Sequence, residues 1–236
     1  MDSILFGVIG TVLSVTTAPL VSPTVQATSA SAPREQWHDD SSDTRLLLGP
    51  TARSLKRGEA YVDDVGIFFP SVQVGLSDRV SIGIGTPVAI PVADVHPGEA
   101  IWITPKVQVF SRQKTQAALG LVHVAALGHH AGVAYGVATH GTSNAAVTLG
   151  LGLAYPRFER QRPVALVGAE KRVSPRVKVI TENYVGVRNG DTVLSGGMRF
   201  IRRRRTLDLA WYKFPGMGVY PLPIVRFSFQ VSGPDR

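Results

Sequence analysis

Histidine is the residue type in this chain best suited to binding a metal ion, and four of the six histidines lie within eighteen residues. These four are His123, His129, His130 and His140. Neighbouring residues of a strand point to opposite faces, so His129 and His130 could not easily share one ion. The sequence has no Asp or Glu between Glu99 and Glu159 to complete a set of ligands. We therefore predict no metal site and no other cofactor, with these histidines placed in loops.

Hydroxyl groups are the next candidates, because a serine becomes a nucleophile when a base and an orienting acid lie beside it. The sequence lacks a Gly-x-Ser-x-Gly elbow, and Ser195 precedes two glycines with no identifiable base. His140 is close to Thr142 and Ser143, a grouping that an enzyme could use at the rim of a barrel. Cysteine is absent, which excludes thiol nucleophiles and thiolate metal sites. We predict that the protein is not an enzyme.

Ionisable side chains occur late in the chain, within segments that otherwise contain little charge. Such groups must find charged partners or water. We predict that they face the inside of a barrel, where a polar network braces or plugs the lumen. The functional alternative is a selectivity ring in a small pore. The residues of this predicted network are Glu170, Lys178, Glu182, Arg199 and Asp208.

The basic residues give a formal net charge of +8 and suit an anionic partner. Most of them stand singly and are not interleaved with the aromatic platforms that single-stranded nucleic acids need, so we predict no nucleic-acid partner. The one dense cluster is predicted to form the turn of a hairpin. There it would contact anionic headgroups of membrane lipid or lipopolysaccharide, or be solvated, depending on the orientation of the protein. The cluster consists of Arg202, Arg203, Arg204 and Arg205.

The elements that position these groups are predicted from alternation along the chain. Residues 147–155 (VTLGLGLAY) set large apolar side chains at every second position, with threonine, glycine or alanine between them. Alternate residues of a strand lie on opposite faces, so one face of this strand is apolar and the other nearly bare. A solvated outer face would carry Lys, Glu and Thr where this chain has glycine. The pattern therefore favours a strand whose leucines face lipid and whose small residues face a narrow lumen.

Similar segments follow one another from residues 45–50 to residues 222–231, separated by short turns rich in Gly, Pro, Asp and Asn. Connections this short make neighbouring strands antiparallel. No segment has the periodicity of an amphipathic helix. An open sheet of this size would leave two edges exposed, whereas closure removes them. The sequence predicts an all-β fold, an antiparallel meander closed into a single β-barrel of about 10–12 strands.

The first residues differ from the rest. Residues 4–21 are apolar and residues 25–27 (VQA) offer a cleavage site between small residues, so we predict a secretory signal peptide over residues 1–27; an uncleaved membrane anchor is the rival. Residues 28–44, rich in Ser, Ala and Asp, are predicted to be a flexible leader. Residues 45–236 then form the barrel domain.

Several short segments of the sequence are similar to segments of a known group of proteins. They are residues 48–59 (LGPTARSLKRGE), 68–71 (FFPS), 76–78 (LSD), 81–85 (SIGIG), 103–106 (ITPK) and 148–152 (TLGLG). Together they resemble uncharacterised bacterial outer-membrane-like β-barrel proteins, over about residues 45–231. The resemblance implies a secreted precursor and a meander barrel. It supplies no activity and no active-site residues.

These observations favour a non-catalytic β-barrel of the bacterial outer membrane with a structural, small-pore or lipid-contacting role. Its partners would be membrane lipid or lipopolysaccharide and the barrel-insertion machinery. The alternative is a soluble periplasmic or secreted β-barrel that binds an apolar small ligand in its interior. The two hypotheses place the faces oppositely, because Leu149, Leu151 and Leu153 point outward in the first and inward in the second.

Overall fold

A computed structural model describes residues 37–88, 98–155, 163–187, 191–216 and 220–233. These residues form thirteen strands and no helix. None of them belongs to a helix that is long and apolar enough to cross a membrane. The predicted signal peptide, residues 1–27, lies outside the described residues. The strands are β1 (Ala60–Val65), β2 (Phe69–Gly75), β3 (Val80–Gly85), β4 (Ala100–Ile103), β5 (Lys106–Arg112), β6 (Thr115–Ala126), β7 (His129–Thr142), β8 (Ala145–Tyr155), β9 (Pro163–Ser174), β10 (Val177–Gly186), β11 (Thr192–Arg202), β12 (Arg205–Lys213) and β13 (Leu222–Ser232).

The strands close into a barrel because the first pairs with the last. β1 lies antiparallel to β13, with Val62 opposite Phe229, and apart from β4 and β5 the strands pair with their neighbours in chain order. β4 and β5 both lie between β3 and β6 and are separated only by Thr104 and Pro105. Since proline lacks a backbone N–H, it interrupts the ladder there. The thirteen strands thus fill twelve positions around the wall, and the predicted antiparallel barrel is confirmed.

The apolar face of the wall is the outer one. Leu149, Leu151 and Leu153 on β8 are 55%, 65% and 50% exposed, whereas Thr148 between them is 1% exposed and faces the lumen. The same alternation brings Val225, Phe227 and Phe229 of β13 to the outside. The leucines therefore point outward, as the membrane hypothesis required. The alternative, in which they converge on an internal apolar cavity, is wrong on this point.

The two ends of the barrel differ in their connections. At one end, which we call the turn end, two residues join β5 to β6, β7 to β8, β9 to β10 and β11 to β12. At the other, the loop end, the connections between β3 and β4, β8 and β9, and β12 and β13 are longer. The chain enters β1 and leaves β13 at the turn end. The two ends can therefore be told apart, and the position of each luminal residue is given below relative to them.

The chain before β1 folds into the lumen. We call residues 37–55 the luminal segment; its Asp40, Ser42, Leu46 and Leu47 are buried by the surrounding wall. The expectation of a flexible leader ending at residue 44 is therefore wrong for its described part, because the chain from Asp40 onward packs inside the barrel. Residues 45–50 are not a wall strand either. They form a tight turn that contains one isolated bridge, between Arg45 and Pro50.

Candidate functional site

The luminal segment enters the barrel at the turn end, reaches about half its depth and returns. Near its start, the carbonyl of His38 accepts a hydrogen bond from Arg172, which lies beside the β9–β10 turn. The segment reverses where the backbone N–H of Leu46 donates to the carbonyl of Gly49 at 2.8 Å. It leaves again at the turn end, where Gly58 bonds to Gly75 of β2. The half of the lumen nearest the turn end is thereby filled by the protein's own chain.

Glu182, near the middle of β10, holds the tip of the segment. Its carboxylate accepts backbone hydrogen bonds from Leu47 at 2.8 Å and from Leu48 and Gly49 at 3.0 Å. The hydroxyls of Tyr184 and Tyr212 donate to the same carboxylate, at 2.7 and 3.1 Å. Five donors converge on this one buried side chain. A buried carboxylate is stable only with such compensation.

Three charged residues of the luminal segment form ion pairs with the wall. Asp40 lies 2.5 Å from Nζ of Lys178 and 3.0 Å from Arg199. The other two are Arg45, which lies 2.5 Å from Asp208, and Arg53, which lies 2.5 Å from Glu170. Burial raises the pKa of Asp40, but the adjacent Arg199 and Lys178 cations lower it by more, so the pKa lies well below its usual value. Asp40 therefore stays ionised.

The wall also contains ion pairs of its own. Lys178 lies 3.0 Å from Glu170, and Arg199 lies 2.8 Å from Asp208. Arg226 of β13 is paired with Asp63 of β1. Each wall carboxylate that binds an arginine of the luminal segment thus has a second cation on the wall. If the segment moved away, these wall charges would keep their partners.

No backbone-to-backbone hydrogen bond joins residues 40–53 to a wall strand in the described part of the chain. The neutral contacts use side chains instead. Ser42 and Thr206 lie 2.9 Å apart between their hydroxyl oxygens, and Gln108 donates to the carbonyl of Ala52 at 2.8 Å. Thr139 accepts from the N–H of Ala52 at 2.9 Å. The segment is therefore held in the lumen without belonging to the sheet.

A cavity of about 350 Å³, which we call the vestibule, lies between the tip of the segment and the loop end. Its floor is formed by the segment, including Arg45, Leu48 and Pro50. Its wall carries aromatic, polar and cationic side chains, among them Tyr61, Phe69, Gln73, Trp102, Thr104, Lys106, Tyr135 and Arg226. As far as the described residues show, the lumen thus has a half filled by the segment and a half that contains the vestibule, which we call the hollow half.

The five residues of the predicted polar network all face the lumen and are buried. The structure connects Glu170 with Lys178, and Arg199 with Asp208. The fifth, Glu182, contacts the luminal segment and two tyrosines. Sequence reasoning missed the partners of this network. For Lys106 and Arg226 a signal was present, since each alternates with apolar neighbours. Asp63 lies between Val62 and Asp64, so its signal was weaker. For Asp40, Arg45 and Arg53 the irregular segment offered none.

The other predicted groups lie away from the lumen. The four arginines, Arg202 to Arg205, are exposed at the β11–β12 turn, at the turn end. His123 stacks on His130 and Tyr155 near the loop end, and its Nδ1 lies 3.0 Å from the Tyr155 hydroxyl. His140 pairs instead with Thr115, at 2.9 Å. In the described part of the chain, His, Asp and Glu residues form no cluster of three that could hold a metal.

The described strands form a closed antiparallel barrel with an apolar outer face and a charged lumen, and comparison with solved structures finds this fold in two porins. The chain is similar to the KdgM porin, solved in complex with disordered oligogalacturonate, with a TM-score of 0.55 and 7% identity over 75% of this chain and 99% of that one. It is also similar to the NanC porin, with a TM-score of 0.51 and 7% identity over 72% and 97%. No family model matches the chain. No curated protein matches it either.

Proposed function

We propose that the protein is a non-catalytic, porin-like channel of the bacterial outer membrane whose pore is closed by its own luminal segment. The observation that carries the proposal is the way the segment is held. It fills the turn-end half of the lumen through contacts that involve side chains, and the described residues show no backbone ladder between it and the wall. The wall keeps internal ion pairs wherever it binds the segment's arginines. Movement of the segment would open a path without breaking the sheet.

The outer face supports the membrane location. Exposed leucines, valines and aromatic residues cover the strands on the outside, an arrangement suited to hydrocarbon and costly in water. Barrels of this kind place short turns in the periplasm and longer loops outside the cell. On that rule the turn end, with the luminal segment and the arginine turn, faces the periplasm. The four arginines would then contact phospholipid headgroups on that side rather than lipopolysaccharide, and the barrel-insertion machinery would place the protein.

A permanently closed structural barrel is the second candidate, and the buried ion pairs of the segment favour it. Three such links, through Asp40, Arg45 and Arg53, hold the segment at once. The two functions differ in one measurable respect, which is whether the segment leaves the lumen.

The experiment uses a disulfide that locks the segment in place. Ser42 and Thr206 have side-chain oxygens 2.9 Å apart, so Ser42→Cys with Thr206→Cys would bring two sulfurs within bonding reach. The chain has no other cysteine to interfere. The lock is combined with the loosened variant Asp40→Asn, Arg45→Gln, Arg53→Gln, which changes only the segment. Heat-modifiable gel migration of detergent-extracted membranes verifies that each variant forms a barrel.

Single-channel conductance in planar bilayers is the readout. We expect the loosened variant to conduct, the same variant with the oxidised lock to be silent, and reduction to restore conductance. The single variant Ser42→Cys in the loosened background is the control and should conduct under both conditions. Silence of the loosened variant after reduction would favour the structural barrel. Equal conductance of the oxidised and reduced lock would show that the segment is not the gate.

A further inference from the structure

Among the described residues, the vestibule is lined by three cationic side chains and by no carboxylate. The cations are Arg45 on the floor, Lys106 on β5 and Arg226 on β13. They stand among aromatic and hydroxyl-bearing side chains rather than among acids. A cavity with this lining attracts anions and disfavours cations. The positive charge of the lining therefore indicates an anionic ligand.

The three cations are not equivalent, since two already have acidic partners. Arg45 is paired with Asp208, and Arg226 with Asp63. Lys106 is different, because its Nζ donates to the backbone carbonyls of Thr44 at 3.0 Å and Thr51 at 3.3 Å. Within the described residues no carboxylate lies within ion-pair distance of it.

Two carbonyl groups satisfy two of the three N–H groups of a lysine but carry no full negative charge. The acid that interacts with Lys106 electrostatically, Asp43 of the luminal segment, forms no direct ion pair with it. A buried charge without a directly bonded acid is costly, and an anion in contact with it lowers that cost. Lys106 is 8% exposed and borders the vestibule. It can therefore offer a ligand both its remaining N–H group and its charge.

The rest of the vestibule lining is suited to binding a ring-shaped ligand, because much of it is aromatic. Trp102 lines the vestibule and lies 6.2 Å from Phe69 between ring centroids, at an angle of 53°. The indole packs over Gly85 of the neighbouring strand, where a Cβ atom would collide with it. Tyr61 and Tyr135 extend this aromatic surface. Aromatic faces of this kind bind flat rings by stacking and sugar rings through their C–H faces.

We propose that the vestibule binds a small carboxylate that carries a single ring, with the carboxylate at Lys106 and the ring against Trp102. The volume of about 350 Å³ is at the lower end for small-molecule sites and suits one ring rather than a chain of them. An aromatic acid and a sugar acid both have this chemistry. The inference goes beyond the gate, because binding from the loop end does not need the segment to move.

The test measures binding by titration calorimetry with the full chain in detergent. The probes are benzoate and glucuronate, each paired with a neutral counterpart of the same ring, benzyl alcohol and glucose. We expect at least one acid to bind at least about tenfold more tightly than its neutral counterpart, the size of one hydrogen bond to a charged group. Benzoate alone would identify an aromatic-acid site, and glucuronate alone a sugar-acid site.

Three lysine variants complete the test. Lys106→Met should weaken binding about tenfold, Lys106→Arg should retain most of it, and Lys114→Met, at an exposed turn-end position, should leave it unchanged. Heat-modifiable migration confirms that each variant forms the barrel. Binding of neither acid in the millimolar range, equal binding of the neutral counterparts, or unchanged binding by Lys106→Met would overturn the proposal. None of these results depends on conductance, so failure here is distinct from failure of the gate.

Discussion

The two halves of the lumen use buried cations in opposite ways. In the turn-end half Lys178 and Arg199 meet carboxylates from both the wall and the luminal segment. Where the loop-end half begins, Lys106 meets backbone carbonyls of the luminal segment and borders a cavity whose described lining contains no acids. One half is neutralised and filled, and the other is cationic and hollow. Under the two proposals, closing the pore and recognising a solute therefore belong to separate depths of the same barrel.

The largest effect is expected in the filled half, from Arg199→Met. Arg199 is fully buried and donates to Asp208, Asp40 and the carbonyl of Leu46. Its loss leaves carboxylates with fewer cations, so the free energy of unfolding should fall by about 3–5 kcal/mol. Denaturant unfolding in detergent measures it, with the exposed Arg202→Met as the matched control. A loss no larger than that of the control would remove the distinction between the two halves.

A smaller effect is expected where the two halves meet, from Glu182→Gln. The amide keeps the size of the side chain but loses its charge, so the three backbone donors of the tip lose a charged acceptor. We expect a fall of about 1–3 kcal/mol in the free energy of unfolding. Tyr184→Phe, which removes one hydroxyl donor to Glu182, should cost about 0.5–1.5 kcal/mol. If Tyr184→Phe cost more than Glu182→Gln, the carboxylate would not be the anchor of the tip.

Substitutions in the hollow half should change the affinity for the acid probe and have little effect on the free energy of unfolding. Trp102→Leu should weaken binding of the acid probe about two- to tenfold, because one stacking contact contributes about 0.5–1.5 kcal/mol. Trp211→Leu, on the outer face of β12, is the matched control and should leave the affinity unchanged. Titration calorimetry measures both. Equal affinities of the two variants would mean that the ring does not lie on Trp102.

The smallest effect is expected outside the lumen, from Arg203→Ser with Arg204→Ser. Both residues lie in the β11–β12 turn, and their side chains are exposed to water. The free energy of unfolding should change by less than about 0.5 kcal/mol. Denaturant unfolding in detergent measures this change, with Arg199→Met as the reference variant. A change of similar size to that of Arg199→Met would show that arginines at the rim matter as much as those inside.

The strands of the wall could be predicted from the sequence because the alternation of inward and outward side chains depends only on neighbouring residues of the same strand. Alternation in residues 147–155 places Leu149 outside and Thr148 inside whatever their distant neighbours are. The same rule placed Lys178, Glu182 and Arg199 in the lumen. It does not reveal that Pro105 divides one wall position into two strands, β4 and β5.

The luminal segment could not be predicted, because its structure is set by partners far away in sequence. Asp40 contacts Lys178 and Arg199, 138 and 159 residues later. Within the segment, three consecutive leucines at residues 46–48 imitate a short strand. Only the closed wall explains why these leucines turn inside the barrel instead. Predicting local structure from sequence requires a regular alternation of apolar and polar residues, and the luminal segment has none.

The seam between β1 and β13 constrains the order in which the molecule is assembled. The first and last strands pair, so the ring is incomplete until the final strand has joined the first. The luminal segment directly precedes β1, while most of its charged partners lie on β9 to β12. Before the seam closes, the segment can dock sideways onto these strands; afterwards it must thread through the turn end. The final strand therefore completes both the wall and the enclosure of what lies within it.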